Sequence, residues 1–195
     1  MRVISGSARG TKLLPPKNNN IRPTLDSIKE SLFNILAPDI LNSNFLDLFA
    51  GSGAIGIEAL SRGAKQATFV DSSPEAINLI KNNLIKTKLE AKAKIIQKNS
   101  ISFIKTLEKI SKFDIIYLDP PFYENLTVET VRVIIDNKIL NKEGYIVLEI
   151  GADDDFENDV LGISNINTYR TKRYGNIKLV FVKENTNDSS ISGKL

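Results

Sequence analysis

The feature that most limits what this chain can become is an alternation, from Asn44 onward, of short apolar runs with stretches of helical period. This is the pattern of an α/β protein with a mostly parallel sheet, because each helix must carry the chain back to the start of the next strand. Five strand candidates follow in order: Phe45–Ala50, Ala67–Asp71, Ala93–Lys98, Phe113–Asp119 and Gly144–Ile150. Helices are predicted between them over Ile55–Arg62, Pro74–Lys86, Ile101–Ile110 and Thr127–Asn137. Pro74 suits a first helical turn after Ser72-Ser73.

The ends of the chain break this rhythm. Ile163–Arg170 and Asn176–Lys183 are β-rich and separated by Thr171-Lys172-Arg173-Tyr174-Gly175, which reads as a hairpin. The predicted sheet therefore has seven strands, with an antiparallel last strand. If the first hairpin strand is parallel to the core strands, the tip falls at the carboxyl end of the sheet, where open α/β sheets bind ligands. Before the core, Arg2–Ser5 and Thr11–Leu14 are extended, and Lys17–Asn20 is a polar connection. An amphipathic helix follows, with apolar positions at Leu25, Ile28, Leu32, Phe33, Ile35 and Leu36 and Thr24 as its N-cap. The expected organisation is one domain: an extension and helix over 1–43, a core over 44–184, and a disordered tail over 185–195.

Residue content narrows the chemistry. The chain has neither Cys nor His, which removes a thiolate nucleophile, an imidazole base, a Cys/His zinc site and a disulfide framework. Catalysis then falls to carboxylates, backbone groups or a cofactor, with no metal expected. Methylation at pyrimidine carbon 5, which commonly needs a Cys, is disfavoured. No apolar run approaches the ~20 residues needed to cross a bilayer, so a cytoplasmic protein is expected. Residues 1–25 hold five cations and no acid, as do residues 160–183, which leaves the body between them net acidic. Basic flanks on an acidic body suit a polyanionic partner, and they equally suit solvated surface charge.

The first core strand runs into Asp47-Leu48-Phe49-Ala50-Gly51-Ser52-Gly53-Ala54-Ile55-Gly56. A glycine-rich turn that opens a helix brings backbone close to a nucleotide. Its G-x-G-x-x-G spacing, with Asp71 twenty residues after Gly51, fits a nicotinamide dinucleotide as well as S-adenosylmethionine. In either case Asp71 would take ribose hydroxyls, or cap the following helix. Asp47 would hold the methionine amino end or brace the turn, and Asn99 would accept from an adenine amino group or serve only as a turn residue.

Asp119-Pro120-Pro121-Phe122 separates these readings. A strand-end carboxylate followed by two prolines is a rigid acceptor site. An exocyclic amine needs one, because its lone pair is delocalised into the ring. If Asp119 and the Pro120 carbonyl each accept an amino hydrogen, the nitrogen is steered towards tetrahedral geometry. Phe122 would stack on the base.

Taken together, these residues resemble the bacterial 16S rRNA (guanine-N2)-methyltransferase family, ribosomal small-subunit methyltransferase D. The likeness covers nearly the whole chain: Arg2-Val3-Ile4-Ser5-Gly6 with Arg9-Gly10-Thr11-Lys12-Leu13, Arg22-Pro23-Thr24 leading to Lys29-Glu30-Ser31-Leu32-Phe33-Asn34, Leu46–Gly53 with Glu58–Ala64, and Asp119–Phe122. Ser5 stands where the family pattern usually has a second glycine.

The resemblance implies a class I S-adenosylmethionine-dependent methyltransferase (Rossmann-like) fold with a short N-terminal β/helix extension. It implies S-adenosylmethionine as donor and a guanine of 16S rRNA, in the small subunit or an assembly intermediate, as substrate. A monomer is expected. The implied catalytic residues are Asp119, Pro120 and Phe122, and the cofactor residues are Asp47, Phe49, Gly51, Gly53, Asp71 and Asn99. The implied RNA contacts are Arg9, Lys12 and Arg22, joined by Lys172, Arg173 and Tyr174 at the hairpin. Rival substrates for an amino-group methyltransferase are DNA adenine and protein glutamine, but no separate DNA-reading domain is visible.

Overall fold

The computed structural model describes residues 1–16, 26–107, 112–121, 126–156, 160, 163 and 165–185. The Lys17–Asn20 connection, Arg22, Thr24, Phe122 and most of the expected tail lie outside the described residues. The elements are α1 (Asp26–Leu36), β1 (Asn44–Asp47), α2 (Ala54–Ser61), β2 (Gln66–Asp71), α3 (Pro74–Thr87), a 3₁₀ turn (Glu90–Lys92), β3 (Ala93–Gln97), α4 (Ser100–Ile104), β4 (Phe113–Leu118), α5 (Leu126–Asp136), β5 (Leu140–Gly151), β6 (Ile166–Tyr174) and β7 (Ile177–Glu184).

The seven strands form one sheet in the order β3-β2-β1-β4-β5-β7-β6. Only β7 is antiparallel, inserted between β5 and β6. The pairing Gly151↔Ile177 sets the β6–β7 tip beside the carboxyl end of β5, as the hairpin reading anticipates.

Helices cover both faces. On one, Phe33, Phe45, Ile57, Leu60, Phe69, Tyr117 and Phe181 pack with α1, α2, α3 and the N-terminal segment. On the other, Leu46, Leu48, Ile116, Leu118, Ile146 and Leu148 meet α4 and α5. Burial on both faces explains why these strands read as continuous apolar runs rather than alternating ones. Each large side chain so buried contributes about 1.5–3 kcal/mol.

Local signals set most boundaries. Ser73 caps α3 by accepting the Ala76 N–H at 3.3 Å, with Pro74 in the first turn. Asn99 caps α4 by accepting the Ser102 N–H at 3.0 Å.

Four predicted elements depart most from the structure. Strand β1, expected over Phe45–Ala50, ends at Asp47, because the chain already turns at Leu48 and Phe49. Helix α4 stops at Ile104, because Thr106 and Leu107 bond three residues back and the Thr106 hydroxyl binds the Phe103 carbonyl, tightening the last turn. Strand β5 starts at Leu140 because that residue pairs with Phe113 ahead of a register shift. Strand β6 continues through Thr171–Tyr174, which the sequence places in the turn. The turn itself is tight, with Gly175 at φ 59°. Among the described residues no helix is long and apolar enough to cross a membrane.

The N-terminal segment is sewn to the core rather than appended to it. Glu58 on α2 is fully buried and accepts the N–H groups of Ile4 at 2.8 Å and Ser5 at 3.0 Å. Lys29 of α1 faces the same carboxylate and donates to the Arg2 carbonyl at 2.5 Å. Further along, the buried Asn83 amide of α3 both accepts from and donates to the backbone of Leu14, and also donates to the Ser52 carbonyl at 2.9 Å. Arg2 and Lys12 form an antiparallel bridge that closes the segment on itself.

Candidate active site

The expected cofactor residues gather at the carboxyl ends of β1, β2 and β3. After β1 the chain turns through Gly51 and Gly53, at φ 51° and 77°, left-handed conformations that glycine adopts without strain. Gly56 meets a different demand: a Cβ there would lie 2.3 Å from the Phe69 ring, so its absence lets α2 lie directly on β2.

Two carboxylates brace the turn. Asp71, at the end of β2, accepts the Gly51 N–H and the Ser73 N–H, each at 2.9 Å. It therefore joins the glycine turn to the start of α3 while remaining partly exposed. Asp47 is 1% exposed and accepts the Gly56 N–H at 3.2 Å. Burial pushes its carboxyl up to about 7, helped by the nearby Asp71 charge and opposed by the Gly56 N–H. The partly exposed Phe49 packs against the second core cluster, and Asn99 is exposed beyond β3.

The acceptor motif stands next to this turn. Strand β4 pairs with β1 so that Tyr117 lies opposite Asp47. Asp119 follows two residues later, half-buried, with Pro120 buried behind it. Beneath them Tyr117 donates to Glu149 of β5 at 2.5 Å. Burial pushes the Tyr117 hydroxyl well above its ordinary range, reinforced by the charges of Glu149, Asp119 and Asp47 around it.

Sequence reasoning missed Tyr117, Glu149, Glu58, Lys29 and Asn83 as site-supporting groups. A lone acid inside an apolar run signals Glu149, and likewise Glu58 in the apolar stretch Ala54–Ser61. Asn83, on the core-facing side of α3, carries a similar signal.

The expected RNA contacts divide. Arg9 and Lys12 are exposed on the N-terminal segment, and Lys172 is exposed on β6. Tyr174 is half-buried against the first core cluster. Arg173 is not grouped with them: it lies opposite Lys178, its guanidinium is 3.1 Å from the Asp153 carboxylate, and it also donates to the Ala152 carbonyl.

Residues 1–183 match the family model described as "Conserved hypothetical protein 95". The chain belongs to this family. It is 40% identical over 154 residues to the Ribosomal RNA small subunit methyltransferase D of Haemophilus influenzae, covering 78% of this chain and 80% of that protein. It is likewise 40% identical over 149 residues to the protein of the same name from Escherichia coli K12, covering 76% and 74%.

The solved structure of the Escherichia coli protein yhhF superposes with a TM-score of 0.81 at 34% identity, over 95% of this chain and 98% of that one. The fold is that of the class I S-adenosylmethionine-dependent methyltransferases. S-adenosylmethionine is the cofactor this site fits: the left-handed glycines shape the turn after β1, and the partly exposed Asp71 carboxylate stands beside the partly exposed Gly51. The dinucleotide reading of the same glycines ends here.

Proposed function

We propose that this member of the family transfers a methyl group from S-adenosylmethionine to the exocyclic N2 amino group of one guanine in 16S rRNA, on the small ribosomal subunit or an assembly intermediate. The observation that carries this reading is the position of Asp119-Pro120, one strand over from the glycine turn and two residues past the Asp47↔Tyr117 pairing. A rigid acceptor beside a nucleotide-binding turn is what an amine acceptor substrate requires. The names of the relatives supply the substrate class.

S-adenosylmethionine, when bound, supplies an electrophilic methyl carbon on a sulfonium. The residues of this chain do the remaining work. Asp119 and the Pro120 carbonyl each accept one N2 hydrogen, which turns the nitrogen lone pair out of conjugation. That pair would take the methyl group that the cofactor supplies, and the displaced amino proton would pass to water at the Asp119 carboxylate, which balances the charge of the transferred group. Orientation and preorganised acceptors supply the rate, with no covalent intermediate.

Phe122 stacks on the guanine. Asp47 serves the cofactor through the glycine turn it braces, and Phe49 lines the cofactor end of that turn. Asp71 exchanges its backbone partners for ribose hydroxyls, and Asn99 addresses the adenine. Arg9, Lys12, Arg22, Lys172 and Tyr174 contact the RNA around the pocket, mostly to position it. An unstacked guanine presents the base edge that such a pocket reads.

The test is transfer of radiolabelled methyl to small subunits that lack the modification, followed by nucleoside analysis. Labelled N2-methylguanosine in 16S rRNA is the expected product; label in another nucleoside or in protein would overturn the assignment.

A further inference from the structure

Strand β6 is the outer edge of the sheet, and its register sorts its side chains by face. Residues directly opposite in an antiparallel pair share a face. Arg170 lies opposite Phe181, Lys172 opposite Leu179 and Tyr174 opposite Ile177. Phe181, Leu179 and Ile177 belong to the core cluster that holds Tyr117. Across the sheet, the row Asp47, Tyr117, Val147, Phe181, Arg170 runs from the glycine turn to the edge. Glu149, Leu179 and Lys172 form the next row towards the carboxyl end. Arg170 and Lys172 therefore stand on the same face as the N-terminal segment and the strand that leads into Asp119.

One further residue joins them. Between Thr168 and Arg170 the register shifts by one, so Tyr169 is an extra residue in β6. A bulge re-aims a side chain, and this one turns Tyr169 onto the same face as Arg170. Its ring meets Tyr145 and Phe181 edge-on, each at 6.0 Å between centroids, yet remains 42% exposed. Lys183 stands over it at 5.3 Å. Two acids lie near the strip on this face: Asp39, which accepts the Tyr145 hydroxyl at 3.1 Å at the amino end, and the buried Glu149 in the Lys172 row, which accepts the Tyr117 hydroxyl.

We infer that this strip, Tyr169, Arg170, Lys172 and Lys183 leading to Tyr174, is the track on which a single-stranded RNA segment flanking the target guanine lies, with one base stacked on Tyr169. The inference rests on the proposed function and extends it from the pocket to the path the strand takes. Five residue steps separate Tyr169 from Tyr174, about 17 Å, enough for a short run of nucleotides. An exposed aromatic among cations, with no acid on β6, is the combination single-stranded nucleic acid uses: stacking for the bases and cations for the phosphates. Arg170 and Lys172 are held by no partner carboxylate on the strand, whereas the Arg173 side chain is tied to Asp153.

The test is equilibrium binding of unmethylated 16S rRNA to the full chain across a salt series, with KM and kcat measured separately on small subunits. Tyr169→Ala is expected to weaken binding roughly 5- to 150-fold, the range for one lost stacked base, and to raise KM while kcat stays near wild type. Because Tyr169→Ala also opens the Tyr145–Phe181 cluster, Tyr169→Leu tests the stack with the packing retained, and Tyr169→Phe should restore binding.

Arg170→Gln with Lys172→Gln should lower the slope of log affinity against log salt by about 1 to 2. Lys94→Gln, an exposed cation on the opposite edge strand β3, should leave it unchanged. Unchanged affinity and slope in all the β6 variants would overturn the inference and leave β6 as an open edge for pairing with a protein strand. Binding is measured without turnover, so a wild-type protein that bound RNA through this strip but produced no N2-methylguanosine would overturn the proposed reaction alone.

Discussion

The buried carboxylate of Asp47 reaches across the glycine turn to the Gly56 N–H, 3.2 Å away. Burial pushes the carboxyl of this turn-holding group up to about 7, against the opposing pull of the Gly56 N–H.

Stability should record the proton on this carboxyl. The folded state binds it more tightly than the unfolded chain, whose carboxyl titrates at its ordinary value of 3.8. The favourable contribution is complete below that value and is lost as pH rises through about 7. At ~1.4 kcal/mol per unit the full span is about 4 kcal/mol. Urea unfolding from pH 4 to 8 should show this decline in the wild type, and Asp47→Asn should flatten it. An equal slope in both proteins would place the titrating group elsewhere.

Asp119→Ala should abolish methyl transfer while S-adenosylmethionine still binds, since the proposed partner of Asp119 is the target amine. Calorimetric titration with the cofactor and single-turnover transfer separate the two effects. Loss of cofactor binding would move Asp119 from the substrate side to the cofactor side.

Gly56→Ala and Gly10→Ala should fail for different reasons. At Gly56 the new methyl would meet the Phe69 ring at 2.3 Å, forcing α2 off β2 at a cost of about 1–3 kcal/mol and shifting the cofactor turn. At Gly10 nothing lies within 4 Å, and the cost is the left-handed backbone alone, ~1–2 kcal/mol. Cofactor affinity measured beside thermal unfolding should fall only for Gly56→Ala.

Glu58→Ala would strand the Lys29 ammonium, 3.3 Å away and 1% exposed, and orphan the N–H groups of Ile4 and Ser5. Breaking such a buried pair typically costs about 3–5 kcal/mol. Asn83→Ala should release the later part of the segment at Leu14. Limited proteolysis should cut residues 1–16 in both variants under conditions where the wild type resists.

The order of strands and helices is legible in the sequence because each apolar run is buried on both faces and each glycine or capping residue sits at a boundary. Ser73-Pro74, Asn99 and Gly53 fall where helix-start chemistry puts them. The hairpin tip is misplaced because Thr171–Tyr174 is polar, and polarity in an edge strand reads as a turn. The pairing of Lys172 with Leu179 and of Arg173 with Lys178 shows that these cations belong to a strand.

In the candidate site, the placement of Asp47 and Asp71 at strand ends and of Asp119 just past β4 is legible from motif spacing. Their tethers are not. Glu58 and Ile4 are 54 positions apart, and Asn83 and Leu14 are 69 apart. No local pattern encodes such contacts, and the same holds for the bulge that turns Tyr169 outward.

The attachment of residues 1–16 bears on modularity. Glu58 belongs to the helix that grows from the glycine turn, and Asn83 grips Leu14 and Ser52 together. The segment is thus no portable appendage. Transplanting it onto another methyltransferase would require α1, α2 and the core-facing side of α3 to travel with it. A lineage that changed its N-terminal segment would have to alter the cofactor-bearing helices in step.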